Sequence, residues 1–445
     1  MNNPTNNGTP SQQPTPNRNG YGKRRHRPNG GRSHHRPHGA PGTSPTPHGT
    51  ATQGGGPRHQ GHGGGGNRRP QGGGGNGNNR RRHPQRRRSD KAPALTHRLG
   101  LRDEKSPIIP EIMDDDTVRI ITVSGVEEIG RNMNIIETKD DIIVIDAGFQ
   151  FVSEESNAPG INYILPNTQY LEERKDKIRA LIVTHGHLDH IGGIPFVMER
   201  IGNPPIYTQY LTSLMILKRQ EEFPQMETVK MNVIKEGESF TVGKTKVKTF
   251  RVTHSIPDAM GVCIETKHGD VVITGDIKLV HEDGQVVVEE RGQWEKVGLN
   301  NNLALLCDST NADRDGFSAS EAKVYETLEE IIKTATGRLI VGTFASQFDR
   351  LTSIIQTCAD QGKKVVLEGR SIKTNIDIAV IAKLISIPPG TIINATDMGD
   401  YPADRIVILT TGAQGEKFAA LMRMATDKHK FITLNERDTV VLSSS

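Results

Sequence analysis

Large apolar side chains are almost absent from residues 1 to 92 of the 445-residue chain. From Thr117 onward they gather into short runs of branched residues. Val118–Val123, Ile135–Thr138, Ile142–Ile145 and Ala180–Val183 read as strands, because such runs of four to eight residues suit a pleated, buried surface, and Ile206–Tyr207 reads as a shorter one. Thr168–Lys177 and Leu211–Glu222 have helical spacing, and Met231–Ile273 reads as short strands and turns. Within that span Arg251–His254 ends a strand in histidine, and Asp270–Asp276 ends another in aspartate. Beyond residue 311 strands and helices alternate. Helices are predicted over Glu321–Thr334, Ser346–Asp360, from Ser371, and over Glu416–Ala425, with strands at Arg338–Val341, Lys364–Leu367, Arg405–Leu409 and Thr439–Leu442. The pattern is α/β: sheet layers with helices outside, then a largely parallel sheet in a second domain.

Composition divides the chain again. Residues 1–92 are rich in Gly, Asn, Pro, Arg and His, with clusters such as Arg80-Arg81-Arg82 and Arg86-Arg87-Arg88. Apolar burial cannot offset chain entropy there, so a disordered basic arm is expected. Between Met1 and Lys91 stand 17 Lys and Arg residues and one acid, Asp90; the net charge of +4 therefore hides an acidic body. Arginine on a glycine-rich chain suits salt-sensitive, sequence-tolerant contact with RNA. Residues 93–116 read as a linker ending in Asp114-Asp115-Asp116. Three scattered cysteines, Cys263, Cys307 and Cys358, offer no disulfide framework or CxxC metal site; they read as buried small hydrophobes in a reducing, cytoplasmic setting. No apolar run is long enough to span a bilayer, and no signal-peptide core opens the chain.

The chemistry concentrates in Thr184-His185-Gly186-His187-Leu188-Asp189-His190, directly after a predicted strand. Imidazole and carboxylate at this spacing suit metal ions, and so crowded a set cannot all reach one ion without strain. His185 and His187 can share one metal while Asp189 and His190 turn to a second. His254 completes the first set, Asp276 can bridge both, and Asp146, at a strand end, can orient a ligand from behind. Gly243-Lys244-Thr245 resembles the end of a P-loop, but Glu238 stands where its first glycine belongs and no helix follows. In the second domain, Gly342–Ser346, Gly369-Arg370-Ser371 and Thr410–Gly415 form donor-rich turns after strands, fit to hold phosphate on one sheet edge.

These residues, in this order, resemble metallo-β-lactamase-fold nucleases with a β-CASP insert, and within them the bacterial ribonuclease J family. The likeness rests on Gly125–Met133, Ile145–Gly148, His185–His190, His254–Asp258, Thr274–Lys278, Asp308–Ala312, Thr343–Ser346, Gly369–Ser371 and Thr411–Glu416. It implies an αββα sandwich over 117–310 and a β-CASP domain over 311–445, with Asp308 as the acidic motif opening the second. It implies two zinc ions, with manganese or magnesium as alternatives, in a cleft between the domains. It also implies hydrolysis of RNA from 5′-monophosphate ends, 5′-to-3′, together with endonucleolytic cuts in RNA maturation and decay. Asp189, Asp276 and His187 are the catalytic candidates, with Asp189 receiving the proton of the attacking water. Phe151 stacks a base by the same resemblance, and Ser346 and Arg370 are the phosphate-binding candidates. A homodimer or homotetramer is the family's usual assembly.

The chain also departs from that pattern. Family members continue past the equivalent of Val441-Leu442 into two further histidine motifs and a C-terminal domain, so the chain ending at Ser445 is read as C-terminally truncated, its sandwich lacking closing strands and its second metal set lacking a ligand. Asn162 stands where the family commonly has Asp. Two other readings compete: a small-molecule hydrolase of the same fold, such as a thioesterase or lactamase, and a catalytically impaired RNA-binding or assembly fragment. The donor-rich turns and basic arm weigh against the first, and the intact histidine loop against the second.

Overall fold

The structure, a computed structural model, describes residues 109–152, 160–413, 415–416 and 419–444. The basic arm, the linker up to residue 108 and Gln414 lie outside the described residues.

Two sheets face each other in the first half. One runs in the order Arg119–Ser124, Met133–Glu137, Ile142–Ile145, Ile178–Ile182, Ile206–Thr208 and Met231–Val233; its first two pairings are antiparallel and the rest parallel. The other is ordered Asn302–Leu306, Gly269–Ile273, Met260–Thr266, Thr245–Arg251 and Ser239–Val242. Strand alternation sends Ile143 and Ile145 into the core between the sheets, against Val262, Val271 and Ile273. It sends Ile142 and Val144 the other way, onto Leu171, Ile191, Ile194 and Val197. Both faces are covered, which is why the strand is apolar throughout. Each such side chain contributes about 1.5–3 kcal/mol on burial. Helix Val288–Gly298 backs the second sheet, where Trp294 meets Phe250 edge-on.

The third sheet is parallel throughout, in the order Ile392–Ile393, Lys364–Glu368, Ile406–Thr410, Leu339–Thr343 and Thr439–Ser443. Helices Glu321–Thr334, Phe348–Asp360 and Arg370–Ile381 pack on one face, and Ala420–Ala425 on the other. Leu211 and Ile256 of the first half are buried in the same core as Phe348, Leu351 and Ile376. The halves are therefore joined by apolar packing. The whole is an αββα sandwich with an α/β domain attached, and among the described residues no helix is long and apolar enough to cross a membrane.

Several expectations shift. The helix expected over Thr168–Lys177 is a single turn, Gln169–Glu172, followed by a 3-10 turn, Lys175–Lys177. The break lets Lys177 reach the buried Glu137 carboxylate at 3.0 Å and delivers Ile178 directly into the sheet. His254 does not end a strand: the strand stops at Arg251, and residues 252–259 form a returning loop closed by the Val252 N–H donating to the Ala259 carbonyl. The strand Asn302–Leu306 and helix Val288–Gly298 are two elements beyond those expected from the sequence pattern. Cys263 and Cys358 are buried, but Cys307 is exposed, because it follows an edge strand. Gly243 and Lys244 form the tight turn of a hairpin, with no helix behind them.

Candidate metal centre

The histidine loop leaves strand Ile178–Ile182 and winds into a short helix, Leu188–Ile191. Its backbone is packed against the turn after Ile145. The Ala147 N–H donates to the His190 carbonyl, and a Cβ on Gly148 would lie 1.5 Å from the Asp189 carbonyl oxygen. Only glycine permits that approach.

Two sets of ligand atoms result. His185, His187, His254 and Asp276 form one; Asp189, His190 and Asp276 form the other. His187 Nδ1 lies 3.0 Å from both His185 Nε2 and His254 Nε2. Asp276 is shared: Oδ2 stands 3.7 Å from His185 Nε2 and 3.9 Å from His254 Nε2, while Oδ1 stands 3.2 Å from His190 Nε2. Asp189 Oδ2 is 3.5 Å from His190 Nε2. Tetrahedral coordination with bonds of about 2.0–2.1 Å separates ligand nitrogens by about 3.3 Å, close to this spacing.

Asp146 lies behind the cluster. It takes a positive φ of 62°, a conformation Asp tolerates better than most residues. Its carboxylate accepts the Thr184 N–H at 2.8 Å, the Thr184 hydroxyl at 2.9 Å and His190 Nδ1–H at 2.8 Å. The last bond leaves His190 Nε2 facing the second set. Asp308 is not in either set; its carboxylate accepts the Ile277 N–H at 3.1 Å and so braces the turn after Asp276.

The electrostatics suit cations. Burial, then the neighbouring histidines, hold His185 well below the usual imidazole range, and burial brings His187 down to about 4; both favour the neutral, ligating form. Burial works against charge on His190, but Asp276, Asp146 and Asp189 together outweigh it and push its pKa well up. Asp276 is held low despite burial, chiefly by His190. Three carboxylates thus converge with a deficit of positive charge, and the donor set fits two divalent ions.

The centre opens on a cavity of about 1280 Å³. One wall carries Phe151, His187, Asp189 and His254; the other carries Ser346, Arg370, Ser371 and Thr411. The three donor-rich turns follow adjacent parallel strands, so they share one sheet edge, and that edge faces the cleft. Phe151 is 67% exposed and meets Phe149 edge-on. Residues unnoticed in the sequence also belong here. Thr184 and Asn132 touch ligands from inside motifs whose neighbours drew attention, and Ser255 Oγ lies 3.2 Å from His187 Nε2. Lys218, Arg219 and Arg423 line the cavity from helices whose charges look ordinary in sequence.

Comparison with known proteins agrees with this architecture. Residues 126–342 match the family model of the metallo-β-lactamase superfamily, and residues 336–445 match that of the ribonuclease J β-CASP domain. Ribonuclease J of Mycoplasma pneumoniae is 37% identical over 335 residues, covering 75% of this chain and 58% of that protein. Ribonuclease J of Mycobacterium tuberculosis is 36% identical over 330 residues, covering 74% and 58%. The chain thus spans about 58% of the length of these relatives. A crystal structure of an Enterococcus faecalis protein of unknown function shares the fold, with a TM-score of 0.51 and 17% identity over 74% of this chain and 89% of that one. With both domain types matched in order and the candidate ligand sets of the first opening on a cavity that the second helps to line, the chain belongs to the ribonuclease J family of metallo-β-lactamase-fold, β-CASP proteins.

Proposed function

We propose that this chain carries the catalytic core of a metal-dependent ribonuclease that hydrolyses RNA phosphodiesters. The observation that carries the reading is the shared Asp276 between two ligand sets, at a cleft whose far wall is a row of phosphate-type donors. Zinc suits the three-histidine set best, with manganese or magnesium as alternatives. Two bound ions would supply a water of near-neutral pKa and neutralise charge on the phosphate. The protein's own part is positioning and proton handling. Asp276 holds both sets at a fixed separation, and His187 anchors the first. Asp189, partly open to the cavity, accepts the proton of the attacking water. Asp146 fixes the His190 tautomer. Ser346 and Arg370 bind the terminal phosphate across the cleft, and Phe151 stacks a base.

A charged guanidinium beside hydroxyl donors favours a 5′-monophosphate end over a 5′-hydroxyl, hence 5′-to-3′ exonucleolysis, with endonucleolytic cuts where an internal segment reaches the centre. The setting is cytoplasmic RNA maturation and decay, and the assembly a homodimer or homotetramer. The test is RNA bearing 5′-monophosphate, 5′-triphosphate or 5′-hydroxyl ends, with and without chelator. Cleavage should be fastest with the monophosphate and cease on chelation, returning with added metal. Intact RNA alongside opening of a lactam or thioester would overturn the reading in favour of a small-molecule hydrolase. Tight RNA binding without cleavage under any metal would favour an assembly role.

A further inference from the structure

Asn132 precedes strand Met133–Glu137 and sits against the second ligand set. Its backbone N–H donates to the Asp189 carbonyl at 3.0 Å, and its own carbonyl accepts the Gly148 N–H at 3.1 Å. Its side-chain Nδ2 lies 3.2 Å from the same Asp189 carbonyl, 3.3 Å from Asp189 Oδ2 and 3.0 Å from His190 Nε2. Oδ1 points back to Gly125, where a Cβ would meet it at 2.4 Å.

The carboxamide has one sensible orientation. Turned over, it would set Oδ1 against the Asp189 carbonyl, two acceptors with no proton between them. With nitrogen facing the loop, one N–H holds the Asp189 carbonyl. The other points between the Asp189 carboxylate and His190 Nε2. With the Nε2 lone pair given to a metal, that N–H would belong to Asp189 alone. The first set has separate supports: the Thr184 hydroxyl lies 3.1 Å from His185 Nδ1, and Ser255 Oγ stands beside His187.

We infer that Asn132 is a positioning residue for the second metal position, its amide N–H presetting the Asp189 carboxylate towards His190 and Asp276 before an ion arrives. The inference rests on the two-metal reading above. It is tested by equilibrium dialysis of the chain and its Asn132→Ala and Asn132→Asp variants against zinc, with the absorption of the cobalt-substituted forms as a second readout. The wild type should show two classes of site. In both variants the first class should be unchanged while the second weakens by about 10-fold or more, the size typical of losing a ligand's supporting hydrogen bond. Asn132→Asp has the same shape but replaces the donor with an acceptor, so it separates hydrogen bonding from space-filling. An unchanged or strengthened second class in Asn132→Asp overturns the inference, as does parallel loss of both classes. A single class in the wild type instead overturns the two-metal reading beneath it.

Discussion

The candidate ligand cluster is held by close, specific contacts. Asp146 joins Thr184 and His190 through one carboxylate. Asp146→Asn retains the shape but offers an amide where His190 Nδ1–H needs an acceptor. Metal affinity should fall about 10–100-fold, measured by competition with a chromophoric chelator. Gly148→Ala acts differently, because its Cβ would collide with the Asp189 backbone. The histidine loop must move, at a cost of about 2–3 kcal/mol in denaturant unfolding together with loss of metal. A variant as stable as wild type with full metal content would contradict the packing described. His187→Ala should abolish metal uptake at the first set and, under the proposed ribonuclease function, RNA cleavage, since His187 Nδ1 stands at the centre of the three-histidine face. The HxHxDH spacing was legible in sequence because its ligands are local. Asn132 was not, since nothing about an asparagine before a strand announces a neighbour 57 residues away.

Secondary-structure elements show the same division. Strands with both faces buried were read closely, Ile142–Ile145 to the residue, because continuous branched runs leave few alternatives. Glu321–Thr334 was equally plain: Ser320 caps it, and its buried Leu328 and Ile332 are four residues apart. Helix Tyr210–Gln220 has no cap from its own Gln209. Asp258, from the loop that carries His254, accepts the Thr212 N–H at 3.0 Å and its hydroxyl at 2.9 Å. One carboxylate therefore caps the helix and ties it to a ligand loop. Asp258→Ala should destabilise the fold by about 1 kcal/mol, as cap losses do, and loosen metal binding through His254. Thermal unfolding and metal titration of the same variant check both. Gly369 precedes helix Arg370–Ile381 at a φ of 118°, where a Cβ would meet Thr411 Oγ1 at 2.8 Å. That close approach brings Arg370 and Thr411 to the same cleft wall, and the GRS tripeptide alone does not reveal it.

The two halves are joined by an ion-pair network as well as by apolar packing. Lys278, two residues beyond Asp276, pairs with Glu321 of the second half. Glu321 also receives the fully buried Arg350 at 2.8 and 3.0 Å, and Arg350 donates to the Ser443 carbonyl at 3.1 Å. Burial alone would raise the Glu321 pKa, but Lys278 and Arg350 outweigh it and hold it low. A depressed carboxylate stabilises the fold above its unfolded pKa, near 4.3, and that contribution disappears as pH falls through the lower folded value. Glu321→Gln should therefore cost on the order of 3 kcal/mol at neutral pH, with a gap from wild type that narrows as pH drops below about 4. Denaturant unfolding at both pH values measures it, and a gap independent of pH would sink the account. Local chemistry and short-range periodicity, which survive without long-range contacts, were enough to mark the α/β alternation, the histidine loop and its candidate partners His254 and Asp276. Folding alone decided which Asp276 oxygen faces which set, that the three turns stand across one cavity from the histidine loop, and that Asn132, Asp258 and Arg350 meet their partners. Those groups are paired by chain segments brought together in space, and a linear pattern carries no record of that approach.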